Sequence, residues 1–418
     1  MSVMNEAVQR GRALLALGRP QEAQAHFRQA LVSDPGNADL HQALGQALLA
    51  QDRYADARTA LTRSVAAEPD SAFSLLLLSG AEAGLGNRSA ALEAARAALR
   101  LVPLSPQVHH QIGALLLNSG QSLEALPWLL KARELDPMFA RAATSLAIVY
   151  LQLRRYDEAR TQIQEALQLE PNDPSAHFVN GLIETAAGGS RQGVRAHREA
   201  LRLDPTNPVN RAGLVEALKN RNAAYRALVR YGAWRESLTP GNRKLLAFAP
   251  MFAVVLLRPF SHTTVGTALI GCLLFLVYLS WAVDPMSNLA LCVGNHRNLL
   301  EPPVRRSAIL FGVYFVAALG CVVWGVLAGP PEPFVVAVIF AIWSIVAGFA
   351  HQTLPRFRRT VVAAHAVGVM LLAGLCYLAA TGSTAFNGAV VLVGLVGGAV
   401  GLLEIVPAIR AAAGRTAA

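Results

Sequence analysis

Cysteine is scarce in this 418-residue sequence, and the few that occur do not stand at a spacing typical of metal or redox sites. Three of the four lie inside apolar stretches, where a thiol behaves as a small hydrophobic side chain. A disulfide framework is therefore excluded, and a cysteine-based metal centre is not expected. The four residues are Cys272, Cys292, Cys321 and Cys376.

Lysine is almost absent as well, with only Lys131, Lys219 and Lys244 against a large excess of arginine. Together with abundant alanine, this composition is typical of a high-GC genome and predicts a bacterial source. The apolar stretches also lack a Ser–His pair, a His–Glu zinc motif and a pair of aspartates. We therefore expect neither an enzyme nor a cofactor. Because the first ten residues are polar, no signal peptide is predicted.

Proline, by contrast, recurs at a constant interval. Six prolines stand 34 residues apart, which is the mark of a repeat array. If each is taken as the thirty-second place of a unit that starts at Met4, the array covers residues 4–207. The six prolines are Pro35, Pro69, Pro103, Pro137, Pro171 and Pro205.

Three other places of the unit hold only small residues, which would allow paired helices to approach closely. The eighth place holds Gly11, Gly45, Ser79, Gly113, Ala147 and Gly181. The twentieth and twenty-seventh places hold alanine, except for Gly193 and Ser64. Larger apolar residues recur at the twenty-fourth place, as Phe27, Leu61, Leu129 and Ile163. Midway through the unit, a left-handed helix cap is predicted at Gly18, Gly86, Gly120 and Gly188.

This pattern resembles the tetratricopeptide repeat, a helix–turn–helix unit of 34 residues. The resemblance implies an all-α fold, with a right-handed solenoid of six repeats and a capping helix. It also implies that the first helix of each pair lines a groove that binds a protein or a peptide. The family's usual inward places correspond here to Asp39, Gln42, Gln46, Phe73, Leu76, His110, Leu117, Asn118, Arg141, Thr144, Gln152 and Phe178. Some members clamp a terminal carboxylate with paired Lys and Asn, but no lysine of this chain stands at the required places.

The positive charge lies outside the repeats. Residues 1–208 hold 20 basic and 21 acidic side chains, whereas residues 209–235 hold six basic and one acidic. The remaining excess lies beside and between apolar stretches, which favours contact with anionic lipid over nucleic acid. We therefore expect the lipid bilayer, and not a nucleic acid, to be a partner.

Residues 208–244 are predicted to be a capping and basic juxtamembrane helix. A stripe of apolar and aromatic residues repeats at helical spacing and is followed by Trp234. Two interpretations remain open: an interfacial helix, or a last cap that buries the stripe on repeat six. The stripe consists of Leu214, Leu218, Tyr225, Leu228 and Tyr231.

Six apolar runs follow, which predict a helical transmembrane bundle over residues 245–410 and a short tail at 411–418. Each run was compared with the roughly 20 residues that span a bilayer. The first run is interrupted by Arg258–Pro259 and is the least certain to span fully; by parity it is expected to cross the membrane with its neighbour, and a re-entrant pair is the alternative. The predicted spans are 245–263, 264–283, 307–328, 333–350, 361–380 and 385–406.

After the second predicted span, arginine occurs in alternate loops, which predicts the topology. The loops 284–306 and 351–360 and the C-terminal tail carry arginine, whereas the loops 329–332 and 381–384 carry no basic residue. By the positive-inside rule, the arginine loops and the C-terminus face the cytoplasm. The repeats carry no export signal and are predicted to be cytoplasmic too. This places the protein in the inner membrane.

A second pattern lies after the second predicted span. The residues Trp281, Asp284, Pro285, Asn288 and Leu289 form a W-x-x-D-P-x-x-N-L motif, and a basic aromatic segment with Tyr225, Arg226, Leu228, Arg230, Tyr231 and Trp234 follows the repeats. This combination resembles a broad bacterial group of repeat-plus-membrane proteins of unestablished role. Because proline cannot continue a helical ladder, Asp284–Pro285 is predicted to end the span.

The predicted function is a non-enzymatic adaptor that binds a protein or peptide in the cytoplasmic groove and fixes it at the membrane. The alternative is a transport or lipid-handling protein with regulatory repeats, suggested by the intramembrane residues Glu404 and His365. Glycine pairs at four-residue spacing predict close helix packing in the last span, within the bundle or between chains. These are Gly394, Gly397, Gly398 and Gly401. Neither the partner nor the oligomeric state follows from the sequence.

Overall fold

A computed structural model of the chain describes residues 3–237, 264–294, 296–328 and 332–348, with isolated positions between 239 and 263 and between 367 and 393. The chain divides into two compact units, Met1–Gly213 and Leu214–Ala418. Within the described residues both units are helical and contain no β-strand. The all-α class predicted from the sequence is therefore confirmed for this part of the chain.

The first unit contains six helix pairs, one for each 34-residue period. Every inter-repeat proline lies between the second helix of one pair and the first helix of the next. The twelve helices are α1 (Val3–Ala16), α2 (Pro20–Ser33), α3 (Ala38–Leu49), α4 (Tyr54–Ala67), α5 (Ala72–Gly84), α6 (Arg88–Leu101), α7 (Pro106–Asn118), α8 (Ser122–Leu135), α9 (Ala140–Gln152), α10 (Tyr156–Leu169), α11 (Pro174–Ala186) and α12 (Ser190–Leu203).

The turn inside each pair has the same hydrogen-bond pattern. In repeat one, Arg19 N–H donates to Leu14 O and Gly18 N–H donates to Leu15 O, and the same two bonds recur in the other five repeats. This is the Schellman cap, which requires a left-handed residue at its centre. The four predicted glycines have φ between 69° and 90°. In repeats two and five, Asp52 (φ 56°) and Arg154 (φ 59°) take the same conformation, which the sequence did not reveal.

The eighth place of each repeat holds a small residue because the two helices of a pair meet there. A Cβ atom on Gly45 would lie 2.5 Å from Leu61 Cγ, and one on Gly113 would lie 2.6 Å from Leu129 Cγ. Repeat three has Ser79 at the eighth place and the small Ala95 at the twenty-fourth. The volume of the two places is therefore shared between them, as dense core packing requires.

The second unit contains α14 (Ala223–Ser237), α15 (Thr264–Val293), a short 3-10 turn (Arg297–Leu299), α16 (Pro302–Ala328) and α17 (Glu332–Gly348). α13 (Pro208–Lys219) lies across the boundary of the units. The predicted single helix after the repeats is thus two helices, separated at residues 220–222. Leu214, Leu218 and Tyr225 of the predicted stripe are buried, whereas Tyr231 is exposed.

Two predicted spans, 264–283 and 307–328, lie within α15 and α16, and a third, 333–350, largely matches α17. α15 does not end at Asp284–Pro285 as expected but continues to Val293, with Pro285 inside it. It bends by 52° between Leu279 and Trp281. The bend is placed four residues before Pro285, where the proline ring conflicts with a carbonyl group.

By length and composition, one helix among the described residues could cross a membrane, and this is Pro302–Leu327. The bent pair Leu269–Leu279 and Trp281–Val293 would be a second if it is counted as one span. α17 is apolar but shorter. The predicted spans 245–263, 361–380 and 385–406 lie mostly outside the described residues, as do Glu404, His365 and the glycine pairs. The transmembrane bundle therefore stays a prediction.

We expect substitutions at the central turn residue to change stability in opposite directions. Gly120→Ala should lower stability by about 1 kcal/mol, because a Cβ atom is unfavourable at positive φ, and Arg154→Gly should raise it by up to about 1 kcal/mol. Thermal unfolding of the full chain, followed by circular dichroism, measures both. Gly36→Ala is the control, because Gly36 has no positive φ and open space around it. Equal effects at Gly36 and Gly120 would contradict the assignment.

Candidate functional site

The groove face is the side of the first helices that carries the predicted binding residues. Five of these, Gln46, Phe73, Asn118, Arg141 and Gln152, are exposed, as is Asp39. Gln42, Leu76, His110 and Phe178 are half-buried. Leu117 and Thr144 are buried, and the Thr144 hydroxyl donates to Ala140 O at 3.3 Å. These two are not available to a ligand, because they pack inside the array.

Several polar residues of the groove face join neighbouring repeats. Ser74 Oγ on α5 donates to Gln42 Oε1 on α3 at 2.9 Å. Gln111 Nε2 on α7 donates to Ser79 Oγ on α5 at 3.2 Å. The Ser122 hydroxyl likewise donates to Gln152. Part of the amide-rich character that predicted a binding surface therefore serves contacts between repeats.

His110 illustrates this double use of the face. Its Nε2 lies 3.0 Å from Ser145 Oγ on α9, and its ring meets Phe139 edge-on at 5.1 Å between centroids. Burial, and then the nearby Arg141 guanidinium, lower the pKa of His110 to about 4. The imidazole is thus neutral at neutral pH and acts as a packed polar side chain.

The exposed apolar residues of the first helices are few, and one of them escaped the sequence analysis. Phe73 on α5 is 46% exposed and Leu182 on α11 is 37% exposed. Leu182 stands four residues after Phe178, so it lies one turn further along the same helix face. That spacing was the signal that could have found it. Exposed large apolar side chains between polar neighbours are the usual anchor points of a binding surface.

His197 was also missed, although its position is unusual. It occupies the twenty-fourth place of repeat six, where other repeats have Phe, Leu or Ile, and it is 1% exposed. Its ring meets Phe178 edge-on at 5.2 Å and lies against Gly181 and Gly213. Nδ1 is buried without a hydrogen-bond partner among the described residues. Burial lowers the pKa of His197 to about 4.

A second polar cluster lies in the second unit, around Asp284. Lys219 Nζ, at the end of α13, donates to Asp284 Oδ1 at 2.6 Å, and Asn288 Nδ2 donates to Asp284 Oδ2 at 3.2 Å. The Lys219 side chain is 10% exposed and that of Asp284 is 34% exposed. The only lysine between the repeats and α14 therefore pairs with the acidic residue of the W-x-x-D-P-x-x-N-L motif.

Tyr225 extends this cluster to α14. Its ring centroid lies 5.6 Å from Lys219 Nζ, and its hydroxyl donates to Glu216 Oε2 at 2.9 Å. Asn220 Nδ2 donates to the other oxygen of that carboxylate at 3.1 Å. Burial, and then the negative charge of Glu216, raise the pKa of the Tyr225 phenol.

Pro285 and Leu289 of the motif pack against glycines. A Cβ atom on Gly348 of α17 would lie 2.5 Å from Pro285 Cγ, and one on Gly312 of α16 would lie 3.0 Å from Leu289 Cδ1. The motif thus places an ion pair, an amide and two close packing contacts within nine residues. Within the second unit, the motif thus joins α15 to Lys219, to α16 and to α17.

No group of three His, Cys, Asp or Glu side chains that could hold a metal ion occurs among the described residues. Around Asp284 the charged side chains are paired with each other, whereas Asn288 Oδ1 and His197 Nδ1 are buried without a hydrogen-bond partner among the described residues. The geometry of the repeats is suited to surface recognition, and that of the second unit to the positioning of helices.

The family comparison agrees with the six helix pairs. Models described as tetratricopeptide repeat match residues 14–78, 76–138, 110–177 and 144–208. Residues 14–208 are tetratricopeptide repeats. Such repeats act as protein-interaction scaffolds and are typically non-enzymatic.

Similar proteins match part of the chain. BBSome complex member BBS4 of Bos taurus is 24% identical over 221 residues, which is 53% of this chain and 43% of that protein. The Hsp70-Hsp90 organizing protein of Triticum aestivum is 34% identical over 99 residues, 24% of this chain and 17% of that protein. The chain thus spans less than half the length of these curated relatives. A solved thermophilic TPR protein from Thermus thermophilus is 26% identical, with a TM-score of 0.40, and the match covers 44% of this chain and 99% of that one.

We expect His197 to make stability depend on pH. Its pKa is about 4 when folded and about 6.5 when unfolded. The contribution of neutral His197 to the free energy of unfolding is therefore fully present above pH ~6.5. It falls by up to about 3 kcal/mol as the pH drops towards ~4, because only the unfolded state gains the proton. His197→Leu, which copies the core of repeats two and four, should flatten this slope in thermal unfolding of the full chain.

Leu129→His is the reciprocal variant, since it places an imidazole beneath Gly113 as His197 lies beneath Gly181. It should introduce an additional loss of stability over the same pH range. An unchanged slope in His197→Leu would contradict the assignment.

The Lys219–Asp284 pair should show a measurable coupling. Lys219→Met and Asp284→Asn are each expected to lower the unfolding temperature, because each leaves a partly buried charge without its partner. The double variant should lose less than the sum, with a coupling of about 1–2 kcal/mol given the partial exposure of Asp284. Arg221→Met, which removes an exposed cation two residues further on, is the control and should stay within about 0.5 kcal/mol of wild type. Additive effects would show that the pair is not coupled.

Proposed function

We propose that this protein is a non-enzymatic adaptor that is anchored in the inner membrane and binds a protein or peptide on the groove face of its cytoplasmic repeats. The observation that carries the proposal is the set of exposed apolar side chains, Phe73 and Leu182, on the first helices of a scaffold-forming array. Half-buried Leu76 and Phe178 lie on the same face. This composition suits an apolar or amphipathic segment that buries a few anchors.

The charge of the repeats supports a ligand of modest charge. Basic and acidic side chains are nearly balanced over residues 1–208, and many pair with each other within one helix, such as Arg19 with Glu22 and Arg202 with Glu199. The repeats therefore lack the strong field that would select a highly acidic or basic partner. Shape and apolar anchoring should decide specificity instead.

Membrane anchoring is supported by the apolar length of α16 and by the arginine distribution of the loops, which favours a cytoplasmic position for the repeats and the C-terminus. The alternative, a transport or lipid-handling protein, rested on Glu404 and His365, which lie outside the described residues.

Photo-crosslinking in intact cells tests the proposal. A photoreactive amino acid is placed in the full chain at Phe73, Asn118 or Leu182, and at Arg96, Leu130 or Arg198 as matched controls. The controls are exposed residues on the second helices of the same three repeats. One or a few proteins should be recovered from the first set and not from the second. The chain itself should remain in the membrane pellet after an alkaline carbonate wash.

The recovered partner then allows a quantitative check. Phe73→Ala and Leu182→Ala should each weaken its binding about tenfold, because each removes an exposed apolar anchor, while the unfolding temperature stays unchanged. Equal recovery from both faces would contradict groove binding. Release of the chain by the carbonate wash would contradict anchoring.

A further inference from the structure

A cleft with apolar walls and two arginines lies between α15 and α16. Its volume is about 1040 Å3, and it is open to the outside. α15 contributes Leu289 and Val293, and α16 contributes Ile309, Val313 and Val316. Four of these side chains are each at least half exposed, namely Val293, Ile309, Val313 and Val316. An exposed apolar cleft of this size is unusual for a surface in contact with water.

The two charged residues of the cleft come from the end at which the two helices are joined. Arg297 stands in the 3-10 turn that joins the two helices, and Arg305 stands in the first turn of α16. Within the described residues, neither guanidinium forms an ion pair with a carboxylate. Two cations beside each other without acidic partners are expected to attract an anionic group.

The apolar wall extends away from this charged end. Arg305, Ile309, Gly312, Val313 and Val316 are spaced by four, three, one and three residues and therefore form one stripe along α16. At 1.5 Å per residue, Val316 lies about 16 Å further along the helix than Arg305. Leu289 and Val293 face the stripe from α15. The cleft is thus charged at one end and apolar along its length.

We propose that this cleft binds one anionic phospholipid, with the phosphate group against Arg297 and Arg305 and an acyl chain along the apolar stripe. The proposal rests on the membrane location in the proposed function. The arginine end belongs to the segment 284–306, which the positive-inside rule predicts to face the cytoplasm, where the leaflet carries acidic lipid. A water-soluble phosphate compound would match the arginines only, and a neutral lipid would match the apolar wall only.

The test uses the full chain, purified in a mild detergent and titrated with palmitoyl-oleoyl-phosphatidylglycerol or palmitoyl-oleoyl-phosphatidylcholine. Native mass spectrometry measures the lipid that is retained. The wild type should hold one phosphatidylglycerol about 10- to 30-fold more tightly than phosphatidylcholine, the effect expected of two guanidinium groups beside one anionic headgroup. The combined variant Arg297→Gln with Arg305→Gln should lose this preference.

Two further variants separate the contributions. Arg306→Gln is the matched control, because Arg306 is exposed on the same helix turn and does not line the cleft; it should keep the preference within about twofold. Val316→Trp should weaken both lipids, because the indole fills the path of the acyl chain. Glycerol 3-phosphate should not compete with the lipid.

The proposal is overturned if the double arginine variant keeps the preference, if Arg306→Gln loses as much, or if glycerol 3-phosphate displaces the lipid. It is also overturned if Val316→Trp binds both lipids as the wild type does, which would mean that another segment of the chain covers the cleft. Failure here leaves the adaptor proposal intact, since the membrane pellet and the groove crosslinks report on that proposal independently.

Discussion

The close approach of two helices within each repeat is the constraint on which the array depends. A glycine at the eighth place lies directly against a large side chain at the twenty-fourth, with no room for a Cβ atom at Gly11, Gly45, Gly113 or Gly181. The pairing is kept when the sizes change, as at Ser79 and Ala95. Alanines at the twentieth and twenty-seventh places are almost fully buried and bring the neighbouring helices equally close. The first helices are held in a row because this packing repeats six times.

That row determines which side chains remain for recognition. Apolar residues at the packing places are buried in the core. Several amides and hydroxyls of the groove face form hydrogen bonds from one repeat to the next. The side chains left over are the exposed anchors Phe73 and Leu182, and polar residues such as Asn118 and Arg141. Binding as proposed would use a small number of side chains on a rigid surface, which limits the entropy lost on binding.

The second unit follows a different principle. Among its described residues, it is held by an apolar core around Tyr314, Phe340 and Trp343, by the Lys219–Asp284 pair and by close helix contacts at glycine, rather than by a repeated pattern. Asp284 lies within a long apolar helix next to a proline, and Lys219 and Asn288 provide its partners. A carboxylate in such surroundings is stable only when it is paired. The motif around Asp284 therefore has a physical role in helix placement, whatever the partner of the repeats.

The sequence by itself determined the period, the fold class and the turn glycines, because backbone conformation and helix spacing are local properties that repeat every 34 residues. It also indicated most of the exposed groove residues, since a helix face can be read from spacing alone. Burial of Leu117, the histidine in the core of repeat six, the left-handed Arg154 and the partnership of Lys219 with Asp284 were decided only by the tertiary structure. Each of these depends on which residues meet across helices, and residues 65 positions apart, such as Lys219 and Asp284, leave no local pattern that shows their contact.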